Sequence, residues 1–289
     1  MTLATIYDDR ICHLGEGAFW HPLREEFFWV DILGRRLHCK GKEGDRSWAF
    51  AGYPAAMGWI DAETLILAVG DALVAFTIAT GESRHLCDLE ADTPETRPND
   101  GRADPQGGFW ISTIGTGADK TGKGSIYRFY KGELRKLYSG ITTPNAICFA
   151  PDGGSACFAD TRKKQIMKVG LDAKGWPVGT PDVFIDLTDP VFNPDGAVID
   201  AAGNLWSAQW GAARVACYGP DGQFIRAVDM PAAQTTCPAF GGKDLDMLIC
   251  TSAAAGFSQG DLGGAPDQGR TFAVTLEGVK GQAEHRVIL

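Results

Sequence analysis

His21-Pro22-Leu23-Arg24-Glu25-Glu26 reads as a turn, Phe27-Phe28-Trp29-Val30-Asp31 as a strand, Gly34 as a break, and Arg36-Leu37-His38-Cys39 as a second strand. The same order of turn, apolar run, break and apolar run returns five more times. Asp61-Ala62-Glu63 precedes Leu65–Val69 and Leu73–Phe76. Asp104-Pro105-Gln106-Gly107 precedes Phe109–Ser112 and, after a longer insertion, Ser125–Phe129. Pro151-Asp152-Gly153-Gly154 leads into Ala156–Ala159 and Gln165–Val169, and Asp200-Ala201-Ala202-Gly203 into Leu205–Ala208 and Arg214–Tyr218. Gly242-Lys243-Asp244 leads into Met247–Cys250 and Thr271–Val274. The six turns, taken at positions 21, 61, 104, 152, 200 and 242, are 40, 43, 48, 48 and 42 residues apart.

A four-stranded unit repeated every 40–50 residues or so is the mark of a propeller blade, and no stretch carries a long helical period. Aromatic and β-branched residues crowd these runs, as a pleated surface packed on both faces requires. The expectation is an all-β, six-bladed propeller of four-stranded antiparallel blades around a central channel, with residues 1–289 as one domain. Closing the ring needs a strand from a terminus, either Thr5-Ile6-Tyr7 or Arg286-Val287-Ile288-Leu289. Gly256 to Gly269 reads as a long loop inside blade six. The Gly-His and Trp-Asp pairs of WD40 blades are missing, which argues against a scaffold of that type.

Composition narrows the function. With 27 basic and 36 acidic residues the formal charge is −9, unsuited to nucleic acid or an anionic membrane surface. No apolar run reaches the roughly 18 residues of a membrane span, and the first residues lack a basic start and a long apolar stretch, so the expected location is cytoplasmic. The eight cysteines lie at least nine residues apart, which excludes a Cys-x-x-Cys site and leaves reduced, mostly buried thiols. There is no Gly-x-Ser-x-Gly elbow for a serine nucleophile. His13 and His21, the two histidines nearest the expected channel mouth, read as satisfied core or surface groups.

Polar residues recur where the chain enters each repeat. Glu16 lies in Leu14-Gly15-Glu16-Gly17, Asn99 in Arg97-Pro98-Asn99-Asp100-Gly101, Asn145 in Thr143-Pro144-Asn145-Ala146, and Asp195 in Asn193-Pro194-Asp195-Gly196. Taken singly each reads as a turn residue. Ring symmetry, however, brings one equivalent position in four copies to one mouth of the channel. Two carboxylates and two amides converging there would repel or stay unpaired without a cation between them. Glu16, Asn145 and Asp195 make an oxygen-only set suited to Ca²⁺, Mg²⁺ or Mn²⁺, with Zn²⁺ or Fe(II) open.

These four segments, together with Val30-Asp31-Ile32 and Thr235-Thr236-Cys237-Pro238-Ala239-Phe240-Gly241-Gly242, resemble the SMP-30/gluconolactonase/regucalcin family. The resemblance runs from about residue 10 to the C-terminus. It implies a six-bladed propeller that binds one divalent metal and opens sugar lactones such as gluconolactone or a pentonolactone. By position it implies Glu16, Asn145 and Asp195 as metal ligands, Asp195 also as the general base, and Arg97 and Asn99 as holders of substrate oxygens. Two departures leave the sugar open. No residue of Thr113–Asp119 matches the family's further acidic substrate contact, and Thr251-Ser252-Ala253-Ala254 lacks the arginine found in many relatives. Two other readings stand beside this one: a non-catalytic Ca²⁺-binding regulatory propeller, and a metal-dependent aryl-ester or organophosphate hydrolase. The partner expected is a small sugar lactone, with oligomeric state open.

Overall fold

The computed structural model describes residues 2–42, 44–189, 192–258 and 263–289. Six sheets, each with four antiparallel strands in simple meander order, surround a central channel. Blade one is Gly15–His21, Glu26–Asp31, Arg36–Lys40 and Arg46–Ala49; blade two is Pro54–Trp59, Thr64–Val69, Ala72–Thr77 and Ser83–Asp88. Blade three is Thr96–Ala103, Phe109–Gly115, Gly124–Tyr130 and Glu133–Ile141; blade four is Pro144–Phe149, Ser155–Asp160, Gln165–Leu171 and Pro177–Asp186. Blade five is Asn193–Ile199, Leu205–Trp210, Arg214–Tyr218 and Phe224–Asp229, and blade six opens with Thr235–Gly241, Met247–Ser252 and Thr271–Thr275. The first strand of each blade is innermost, and these six strands touch in ring order, with that of blade six against that of blade one.

Of the two candidate closing segments, the N-terminal one closes the ring. Thr5–Asp8 pairs antiparallel with Thr271–Thr275 as the outer strand of blade six, with Thr5 opposite Ala273. Just before it, Thr2–Leu3 adds a short parallel fifth strand to blade five, an addition the repeat pattern does not announce. Four residues of the Gly256–Gly269 loop, 259–262, lie outside the described residues.

Second strands are buried on both faces, as the apolar runs imply: Phe27, Phe28 and Trp29 are fully buried. Outer strands are not. Ser83–Asp88 and Phe224–Asp229 show mainly exposed and half-buried residues, because a blade's rim faces solvent, with only the two residues Thr2–Leu3 paired to the end of Phe224–Asp229. The turns after the inner strands are built by aspartates whose side chains accept nearby backbone N–H groups. Asp104 Oδ1 accepts from Gln106 and Gly108 at 2.9 and 2.8 Å, and Asp200 Oδ1 accepts from Ala202 and Asn204 at 2.9 Å.

The C-terminal segment runs across the floor of the channel instead of joining a blade. Gln282 Nε2 donates to Phe149 O and Ile199 O, Arg286 Nε to Ile60 O, and the Ile288 N–H to Gly107 O. Glu284 pairs with Arg102, a residue of the blade-three inner strand, and both are nearly buried. Blades two to five are thus tied together from below. A cavity of about 20 Å³ lies beside this segment, and a cleft of about 590 Å³ opens at the other end of the channel.

Candidate functional site

Every inner strand carries a register shift near its start. It falls between Glu16 and Phe19, Pro54 and Ala56, Pro98 and Gly101, Asn145 and Cys148, Pro194 and Ala197, and Thr235 and Pro238. A bulge bends its strand and re-aims a side chain, and here it recurs in all six blades at the same end of the channel. In four of them the residue at the bulge is Glu16, Asn99, Asn145 or Asp195.

The small residues that follow now have a specific cause. Gly17 has φ +59°, and a Cβ there would lie 2.9 Å from Ala55 O. Ala146 takes φ +57°, a left-handed conformation costing a non-glycine residue about 1–2 kcal/mol. Gly196 is set by crowding instead, since its Cβ would meet Cys237 Cα and Thr236 O at 2.9 Å. Two aspartates at the ends of second strands hold the entry loops. Asp31 accepts the N–H groups of His13, Leu14 and Gly34 at 2.9 Å, steadying the approach to Glu16. Asp160 accepts those of Thr142 and Thr143 at 3.1 and 3.0 Å, doing the same for Asn145.

All five residues singled out from sequence line one cleft of about 590 Å³ at the channel mouth. That volume suits a small ligand. Asn99 Nδ2 donates to Asn145 Oδ1 at 2.9 Å and to Pro144 O at 2.9 Å. Asn145 Nδ2 donates to Thr161 Oγ1 at 2.9 Å, and Thr161 donates to Pro194 O at 2.7 Å. This chain of bonds ties blades three, four and five together at the mouth and fixes which way the Asn145 amide points. Its oxygen keeps a second lone pair for the channel. Arg97 donates to Asn99 Oδ1 at 3.1 Å and Pro98 O at 2.7 Å and has no ion-pair partner among the described residues.

Burial pushes the Glu16 carboxyl well above the ordinary range, and the like charges of Asp195 and Asp100 push it the same way. Burial and Asp100 likewise raise Asp195. Neither acid has an ion-pair partner among the described residues. Burial lowers the Arg97 pKa while Glu16 opposes the shift. Among the described residues no group of three or more His, Cys, Asp or Glu is placed to hold a metal. The oxygens that converge are two carboxylates and an amide, and two desolvated, mutually repelling acids with no ion-pair partner among the described residues, only the more distant Arg97 charge acting on Glu16, fit a divalent cation.

Asp100, Thr161 and Asp119 were not assigned from sequence. Asp100 Oδ2 accepts the Ile147 N–H at 2.8 Å and sits close enough to Glu16 and Asp195 to raise both. Its only signal was its place beside Asn99. Thr161 could have been sought in the turn after a strand ending in Asp160. Asp119 lines the cleft from the blade-three insertion, where its Oδ1 accepts the Thr121 N–H at 3.0 Å. None of the five histidines lines the cleft. His21 is buried, its Nε2 donating to Asp61 O at 3.1 Å while Nδ1 accepts two backbone N–H groups, which makes it a neutral core residue. The eight cysteines are unpaired and all but Cys87 are buried.

Fold and cleft together define a six-bladed propeller with an acid-and-amide small-molecule site at one mouth. The chain belongs to the SMP-30/gluconolactonase/LRE-like family, whose model matches residues 14–254. It is 34% identical to an L-arabinolactonase of Azospirillum brasilense over 93% of this chain and 90% of that protein. It is 31% identical to a pentonolactonase of Haloferax volcanii, covering 91% and 89%. A crystal structure of a calcium-binding regucalcin from Agrobacterium tumefaciens superposes with a TM-score of 0.96 at 38% identity, covering 100% of this chain and 98% of that one. The family thus unites lactonases and regucalcins on one propeller.

Proposed function

We propose that this protein is a divalent-metal-dependent hydrolase that opens a sugar lactone, an aldonolactone such as gluconolactone or a pentonolactone, to the free acid. The observation that carries this reading is the meeting of Glu16, Asn145, Asp195, Arg97 and Asn99 in one cleft large enough for a sugar. The lactonases among its relatives support it. Glu16, Asn145 and Asp195 would hold the ion, whether Ca²⁺, Zn²⁺, Mn²⁺, Mg²⁺ or Fe(II). When bound, such an ion supplies Lewis acidity toward the ester carbonyl and neutralises the two acids. Asp195 takes a proton on a carboxylate oxygen from the attacking water. Arg97 presents the N–H groups not used on Asn99 and Pro98 to the substrate's oxygens, where charge grows on the carbonyl as water adds. Asn99 keeps Asn145 and Arg97 aligned through its own amide.

Hydrolysis of glucono-δ-lactone before and after chelation, followed by readdition of each ion, tests this reading. Chelation is expected to abolish turnover and leave the circular dichroism nearly unchanged, because the blades are packed independently of the mouth. A chelated protein with full lactonase activity overturns the metal role. Arg97→Ala is expected to lower kcat/KM by roughly 10²-fold, in the range seen for loss of one oxyanion donor, with metal affinity largely kept. Asn99→Ala should weaken substrate use in the same direction. An unchanged kcat/KM in Arg97→Ala removes Arg97 from the substrate-holding role, and loss of the ion from Asn99→Ala moves Asn99 into the ligand set.

The likeness to a calcium-binding regucalcin favours a second reading, a Ca²⁺-binding regulatory propeller without turnover. The same assay separates the two. Tight Ca²⁺ binding with no hydrolysis across a panel of aldonolactones selects the second.

A further inference from the structure

One charged pair inside the channel has no part in the proposed reaction. Arg102 lies on the inner strand of blade three, two residues, or roughly 7 Å, farther from the mouth than Asp100. Glu284 meets it from the C-terminal segment, and the two side chains are 10% and 7% exposed. Blades three and six lie opposite one another in the ring, and Arg102 Nη2 donates to Pro238 O of blade six at 3.3 Å. The side chain therefore spans the channel axis. Pro238 ends the blade-six bulge, one of the six that ring the mouth. The guanidinium thus lies beneath the level at which Glu16, Asn145 and Asp195 come together. Glu284 is brought to it by anchored backbone: Trp59 Nε1 donates to Glu284 O at 2.7 Å, and Gln282 Nε2 to Phe149 O and Ile199 O at 3.1 and 2.8 Å.

Formal charge around the axis gives this pair a purpose. Glu16, Asp195 and Asp100 carry three negative charges, Arg97 one positive, and Arg102 with Glu284 none. A divalent ion brings that set to neutrality. His285, which borders the same small cavity as Arg102, is kept neutral by burial, and burial likewise keeps the Cys148 and Cys237 thiols protonated. Asp119, Lys120 and Arg162 are exposed to water, which screens them. Without Glu284, Arg102 leaves one positive charge uncompensated beneath the ion. Without Arg102, Glu284 leaves one negative charge there. The influence reaches the mouth. Desolvation raises the Asp100 carboxyl while the Ile147 N–H and the Arg102 charge oppose it, and Asp100 in turn acts on Glu16 and Asp195.

We propose that the Arg102–Glu284 pair is the electrostatic base of the ion site, and that Glu284 sustains ion binding by cancelling the cation that lies across the axis below it. The proposal rests on the divalent-ion reading of the cleft and extends it to the C-terminal segment. Both are positioning residues in this scheme, acting on the site through charge from beneath it.

Calorimetric titration of the chelated protein with Ca²⁺, Zn²⁺, Mn²⁺ and Mg²⁺, with no substrate present, tests the proposal. Glu284→Gln is expected to weaken ion binding by about tenfold, the scale of one poorly screened charge acting across a protein interior. Arg102→Met is expected to tighten it, since Glu284 then adds an uncompensated negative charge. The double variant Arg102→Met/Glu284→Gln should return to near the unsubstituted affinity. A pair that merely holds the floor together would shift both single variants in the same direction. Equal affinities in all four proteins, or equal losses in the two single variants, overturn the proposal and leave the ion site standing. Should Glu284→Gln fail to fold, Arg102→Met against the double variant reads the same Glu284 charge: tighter binding in the single variant upholds the proposal, and equal binding overturns it. An unsubstituted protein that binds none of the four ions overturns the divalent-ion reading itself, and the proposal with it.

Discussion

Asp104→Asn is expected to destabilise the protein by about 3–5 kcal/mol, the usual consequence of removing one partner of a buried ion pair. Asp104 and Arg128 are both 0% exposed, with Arg128 Nε donating to Asp104 Oδ2 at 2.6 Å and Nη2 to Oδ1 at 3.2 Å. Arg128 also lies over the rings of Trp176 and Tyr130, at 4.4 and 4.6 Å. Among the described residues its Nη1 has no partner and Asp104 is the one carboxylate paired with the guanidinium. The opposite change, Arg128→Met, should cost less. Asp104 would keep the N–H groups of Gln106 and Gly108, and the methionine stem would still fill space between the rings. The substituted amide of Asp104→Asn can still serve those two donors, so the contrast isolates a stranded cation from a lost turn. Thermal melts should show Asp104→Asn lower by on the order of 10 °C. A melt in which Arg128→Met falls as far as Asp104→Asn, or farther, refutes this ordering.

That pair illustrates what the sequence makes legible and what it hides. Asp104 is one of six turn anchors, and its place after an inner strand follows from the repeat. Its partner Arg128 sits among apolar residues of Ser125–Phe129 and carries no local sign of burial. The second strands were easy to find because both faces are covered, so their apolar character is continuous. The outer strands resist such reading because half their side chains face solvent. The floor was beyond reach: Arg102 and Glu284 are 182 residues apart, and only the closed ring brings them together. At the mouth, Glu16, Asn99, Asn145 and Asp195 were visible because ring symmetry turns a repeated position into a cluster. The bulges that aim them were visible only indirectly, through the small residue after each ligand candidate. Ala146 shows why that signal is weak, since nothing in an alanine announces a left-handed backbone. Asp100 escaped because the carboxylate of Asn99-Asp100 reaches the acids of two other blades only across the channel.

Asp195→Asn is expected to lower kcat by roughly 10²–10⁴-fold even with the ion at saturation, the range for loss of a general base. The substitution keeps an oxygen at the same place and nearly the same shape while removing charge and basicity. Ion affinity should fall as well, because one of the two anionic ligands proposed above is lost, and excess ion should refill the site. Glu16→Gln is the matched control. It removes the same charge from a side chain in the same cleft, whose carboxyl is raised by burial and like-charge repulsion as well, but to which the proposed mechanism gives no proton transfer. Occupancy and kcat measured in parallel separate the two duties of Asp195. Full occupancy with kcat near wild type in Glu16→Gln, beside a deep loss in Asp195→Asn, assigns the base to Asp195. Recovery of both variants to near-wild-type kcat makes Asp195 a ligand only and turns attention to Asp100. That residue is half-buried, its charge acts on both Glu16 and Asp195, and it is held by the Ile147 N–H. Asp100→Asn can still accept that N–H through its amide oxygen, so a kcat loss in this third variant would report lost basicity with the hydrogen bond to blade four retained.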